Sequence, residues 1–127
     1  MIKAYNQDYN YKIYWQYKID KIEALKLCKK ISRHFKLKTT INFNNYSRGL
    51  AYYYINRIDL PKNKICFGLI CHEIGHLLAY KNGYKGHNKK AYKFIHRVYK
   101  YGIKFIPSIY LLGYNKQYLL TYKGLIT

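Results

Sequence analysis

Acidic residues are nearly missing from this chain: five Asp and Glu stand against 24 Lys and Arg, a formal net charge of +19 at pH 7. The deficit is uneven, because no acid lies between Glu23 and Asp59 and none follows Glu73. Such a surface repels basic partners and attracts phosphate, so nucleic acid is the leading partner class and an acidic membrane surface the next. Long apolar runs are missing too. The N-terminal MIKAYNQDYNYK has no apolar segment of the secretory kind, and the most apolar later stretch, FIPSIYLLGY, is about half a membrane span and contains Pro107. A soluble, cytoplasmic protein with no membrane partner is expected. Cysteine is scarce and odd in number. Cys28, Cys66 and Cys71 lie in apolar surroundings with no CxxC pair, which argues against a zinc ribbon or redox motif and for a reduced, intracellular setting. No repeat or linker interrupts the 127 residues, which are expected to form one domain.

Hydrophobic residues make up 50% of the chain, ample for a core, and tyrosine occurs 18 times. An AT-rich genome alone can produce a Tyr, Lys, Ile and Asn bias, so the positions of the aromatics mean more than their number. From Ile19 to Phe35 the apolar positions Ile19, Ile22, Leu25, Cys28, Ile31 and Phe35 recur at helical spacing, with Lys26, Lys29, Lys30 and Arg33 opposite them. TTINF, RGLAYYYI and RIDL follow, short and rich in β-branched and aromatic residues, and read as two or three strands of a meander. A second helix, apolar nearly all round, is expected from near Lys64, with Asn63 as N-cap, to just before Asn82-Gly83. After a loop closed by Gly86, Asn88 can cap a third helix that runs to about Tyr101 and ends at Gly102. The fold class is α+β.

The second helix carries an oddity. In LICHEIGHLLAY, residues 69 to 80, two histidines and a glutamate interrupt an otherwise almost wholly apolar run, and a buried polar group costs free energy unless something satisfies it. At about 100° per residue, His72 and His76 fall one turn apart on one face, the spacing that lets two imidazoles reach one zinc ion. Glu73 lies about 100° round from His72, where it can address a zinc-bound water. This is the HExxH arrangement of zinc peptidases, with Glu73 as general base. The alternative is a core helix with two hydrogen-bonded histidines. A catalytic zinc wants a third protein ligand. No acid follows Glu73, which rules out a downstream carboxylate, and the sole methionine, Met1, rules out a Met-turn. Of the two histidines downstream, His96 falls among Lys89, Lys93 and Lys100 on the wet face of the third helix, away from its buried stripe of Ala91, Phe94, Ile95 and Val98. His87, extrapolated back one turn from Ala91, falls on the buried side and is the expected third ligand, with His96 as the alternative. His34, beside Phe35, reads as a surface residue.

HEIGHL, followed after a glycine-containing loop by GHNKKAYKFI, resembles the SprT-like metalloproteases, the group that includes the WLM and YgjP-like families. Upstream, SRGLAYYYINRIDLP is similar to the strand pair that precedes the zinc helix in that group, and the similarity spans about residues 22 to 99. The resemblance implies His72, His76 and His87 as zinc ligands and Glu73 as general base. It also implies a fold in which an N-terminal helix packs on a small antiparallel sheet, followed by the active-site helix and a helix after the third ligand. The chain departs from the group in a compact spacing from His76 to His87 and in lacking a C-terminal cysteine ribbon; residues 103 to 127 form a tail of another kind.

Proteolysis associated with nucleic acid is the activity the resemblance implies, with protein as substrate. The charge points to the same setting independently: Lys89, Lys90, Lys93, Arg97 and Lys100 make a basic side on the third helix that no acid interleaves, and DNA, single-stranded DNA included, is the expected ligand. The aromatic arm at residues 1 to 18 mixes tyrosine with lysine, the composition of a stacking platform, although an arm packed on the domain would read the same. Two rival readings are a nucleic-acid-binding module with a structural or silent zinc site, and a protease whose charge reflects only its host.

Overall fold

The computed structural model describes residues 11–45 and 48–107. Within them lie four helices and a three-stranded mixed sheet, in the order α1 (Lys12–Gln16), α2 (Lys21–His34), β1 (Thr40–Asn44), β2 (Leu50–Tyr52), β3 (Arg57–Pro61), α3 (Phe67–Lys81) and α4 (Lys89–Gly102), with 3₁₀ turns at Tyr53–Ile55 and Ile103–Phe105. The architecture is α+β. Most of the tail expected at residues 103 to 127, and the first ten residues of the N-terminal arm, lie outside the described residues.

Helix α3 is the centre. Every residue from Phe67 to Ala79 is buried, as a helix apolar on all faces requires, with α4, α1, α2 and the sheet packed around it. It begins three residues later than its sequence suggests, after Cys66 rather than Asn63. The reason lies in the preceding backbone: the Ile65 carbonyl accepts from Ile19 N–H at 3.1 Å, the Phe67 N–H donates to the Tyr17 carbonyl at 2.9 Å, and Lys18 bridges Cys66. At its end Gly83 takes a left-handed φ of 94°. There Gly83 N–H donates to Tyr80 and Tyr84 N–H to Ala79, both at 2.9 Å, closing the helix with a Schellman motif.

Helix α4 starts as its sequence indicates, with the Asn88 side chain accepting from Ala91 N–H at 2.8 Å. Its buried stripe holds Ala91, Ile95 and Val98, but Tyr92 and Tyr99 complete it and Phe94 is only half-buried. The crossing with α3 is tight: a Cβ on Gly75 would lie 2.7 Å from Ile95 Cα. With α4 seated on Ile95, Tyr99 turns toward α1, where its ring stacks on Tyr11 at 3.9 Å and its carbonyl accepts from the Tyr14 hydroxyl at 2.9 Å. The N-terminal arm is therefore in part a short helix embedded in the core, with Tyr11, Ile13 and Tyr14 buried.

Two expectations about the sheet and α2 are corrected. The sheet is not an antiparallel meander: its order is β1-β3-β2, with β1 parallel and β2 antiparallel to β3. Strand β3 takes the centre because it is the most buried, Ile58, Asp59, Leu60 and Pro61 all being inside, whereas β1 and β2 tolerate edges. Asp59 is acceptable there because Arg57 Nε donates to it at 2.8 Å and Asn44 at 3.3 Å. Helix α2 makes its main contacts with α3 and α4, and α3 is the helix on which the sheet packs. Capped by Asp20, α2 buries Ala24, Cys28 and Ile31 and leaves Ile22 and Leu25 exposed.

Candidate metal centre

Helix geometry places His72 and His76 one turn apart, 7% and 4% exposed, with their Nε2 atoms 3.0 Å apart. The loop between α3 and α4 brings His87 to the same point, its Nε2 at 3.1 Å from each of the others. Hydrogen bonding alone does not satisfy such a triangle. A neutral imidazole Nε2 carries either a proton or a lone pair, so among three in mutual contact at least two match, and that pair repels. A cation toward which all three lone pairs converge removes the conflict, and the group can hold a metal ion.

Glu73, 6% exposed, lines the same cavity as the three histidines, a space of about 610 Å³. Among the described residues on that cavity it is the only acid. Trp15, Leu69, Gly49, Leu50, Ala51 and Tyr53, the last four in and beside β2, line the cavity, as do Lys18, Arg48 and Lys64. Trp15 reaches this position because α3 presents Gly68 to it: a Cβ there would lie 2.4 Å from the indole. The indole meets the His72 ring edge-on at 5.8 Å and donates from Nε1 to the Tyr99 hydroxyl at 2.9 Å.

The other candidates fall elsewhere. His96 is not a solvated residue of a wet face but half-buried, with Nδ1 2.6 Å from the Tyr11 hydroxyl, because α1 covers that side of α4. His34 is exposed and stacks on Tyr101 at 3.6 Å. His87 joins the group as expected but is exposed, since it stands in the loop before the Asn88 cap and not on the helix from which its burial was extrapolated. Burial pushes the Cys28 thiol up to about 12 and the Cys71 thiol well above its ordinary value. Cys66 is also raised by burial, against the pull of backbone N–H groups and Lys18. Thiolate is the ligating form, so all three act as small apolar residues.

Lys89, Lys90, Lys93, Arg97 and Lys100 are all exposed along α4, and none lines the cavity. Trp15 and Tyr53 are aromatic residues of the cavity, and the sequence pattern did not single them out. The available signals were a lone tryptophan and a run of three tyrosines, Tyr52 to Tyr54, that begins at the end of β2, neither of which specifies a direction. Comparison of the chain with models of protein families, with curated proteins and with solved structures finds no match.

Proposed function

We propose that the chain is a zinc-dependent endopeptidase of SprT-like type that acts on proteins associated with nucleic acid. The observation that carries this reading is the convergence of three histidine Nε2 atoms within 3.1 Å of one another on a cavity whose only acid, among the described residues, is Glu73. Among the described residues the group has three ligands, whereas a structural zinc takes four; three is the number that leaves a position open for chemistry. His72, His76 and His87 hold the ion, which supplies Lewis acidity for peptide hydrolysis. Glu73 is the general base: a carboxylate oxygen takes a proton from the water that attacks the peptide carbonyl and delivers it to the leaving nitrogen. Among the described residues β2 pairs only with β3, and its residues line the cavity, so an extended peptide has a strand edge to lie against.

The test compares wild type with Glu73→Gln, which keeps the shape and spares the three histidines. Zinc content, measured by mass spectrometry, should be equal in the two. Cleavage of a loosely folded basic protein, with single-stranded DNA present to bring enzyme and substrate together, should fall by about a hundredfold to ten-thousandfold in the variant. Equal cleavage by both would remove Glu73 from the mechanism. A second reading, a nucleic-acid-binding module with a silent metal site, is favoured by the exposed cations of α4. It becomes the better one if both proteins hold zinc and bind DNA but neither cleaves.

A further inference from the structure

His72 and His76 are fixed by the backbone of a buried helix, but His87 stands in an exposed loop and must reach the same point without one. The loop is anchored at its two ends, by the close of α3 at Gly83 and by the Asn88 cap of α4. Between them Tyr53 ties the backbone of the loop to the cavity wall. The Tyr53 hydroxyl accepts a hydrogen bond from the backbone N–H of Gly86, the residue before His87, at 3.2 Å. The ring of Tyr53 is itself held, stacked on Tyr80 of α3 at 5.1 Å and 12°, and lies 6.3 Å from the ring of His76. Tyr53 therefore touches both segments that supply ligands, the helix through its ring and the loop through its hydroxyl.

We propose that Tyr53 is a positioning residue for the metal centre, holding the Gly86–His87 backbone where the His87 Nε2 meets those of His72 and His76. A three-histidine site tolerates only about 0.2 Å of error in each ligand distance, and the exposed loop has no buried side chain of its own to supply that precision. The neighbouring Tyr54 is a natural contrast. Its hydroxyl accepts from Lys85 Nζ at 3.3 Å, an exposed contact to a side chain that bears on no ligand backbone. The proposal rests on the three histidines holding zinc.

The experiment measures zinc affinity and the rate of zinc release to a chromogenic chelator for wild type, Tyr53→Phe and Tyr54→Phe. The visible spectrum of the cobalt-substituted proteins and the thermal unfolding of the metal-free ones are recorded alongside. Tyr53→Phe keeps the ring stack and removes only the hydroxyl. It should weaken zinc binding by about tenfold to a hundredfold, the usual effect of losing a group that orients a ligand, and should change the cobalt spectrum. Metal-free unfolding should match wild type, and Tyr54→Phe should match it throughout. Wild-type affinity and spectrum in Tyr53→Phe would overturn the proposal, as would an equal loss of metal-free stability, which would make Tyr53 merely structural. A wild type that takes up no zinc would sink the metal centre itself, a failure distinguishable from that of Tyr53 alone.

Discussion

Replacing His87 by Ala takes away one corner of the nitrogen triangle and should abolish tight metal binding, because the two histidines of α3 alone make an incomplete site. Replacing His96 by Ala should leave metal content unchanged and act through the loss of its contacts with Tyr11 and Tyr92. Equilibrium dialysis with zinc separates the two, and the reverse pattern would overturn the assignment. At this scale much of the centre was legible in the sequence. His72, Glu73 and His76 stood out because polar groups in an apolar helix need a reason, and helical periodicity turned that reason into a direction. His87 was reached by elimination. Tyr53 was out of reach, since its role depends on a hydrogen bond to the loop 33 residues away, and nothing in YYYI distinguishes the ring that faces the cavity from its neighbours. The environment of His96 was misread for a related reason: its partner Tyr11 belongs to an element 85 residues earlier, which charge patterning along α4 cannot reveal.

Among the elements, the pairing of α3 with α4 governs how the ligand loop is delivered, and Gly75 sets its closeness. Gly75→Ala would drive a methyl to 2.7 Å from both the Cα and the Cγ1 of Ile95, and the Cα cannot swing aside. It should destabilise the fold by about 1–3 kcal/mol, a typical cost of overpacking, read as a lower urea midpoint. An unchanged midpoint would show that the helices part without cost. The C-terminal end of α3 and the N-terminal end of α4 were readable from Asn82-Gly83 and Asn88 because capping is local chemistry. The sheet order was not. Three short strands in sequence fit a meander as well as a mixed sheet, and the decision falls to burial, which gives the centre to β3 and turns β1 parallel to it. Helix α1 escaped notice because a five-residue helix has no period to detect, and its place is fixed by aromatic stacking on α4.

For the whole molecule, the charge of +19 is a property any reader can count, and it leads to the remaining prediction. DNA or RNA should bind with little sequence preference and with an affinity that falls steeply as salt is added, because counterions released from phosphates drive the association. Neutralising Lys89, Lys93 and Lys100 together should flatten the slope of log affinity against log salt, by about one unit for each phosphate that the variant no longer neutralises. No binding at low salt would remove nucleic acid from the proposed function. Trp15 has a consequence of another kind. The molecule has one tryptophan, and that indole stands edge-on to His72 at the wall of the cavity. Its fluorescence is therefore a single-site signal from beside the histidines, and a change in it on adding metal is the expected readout of an ion reaching them on the unlabelled protein.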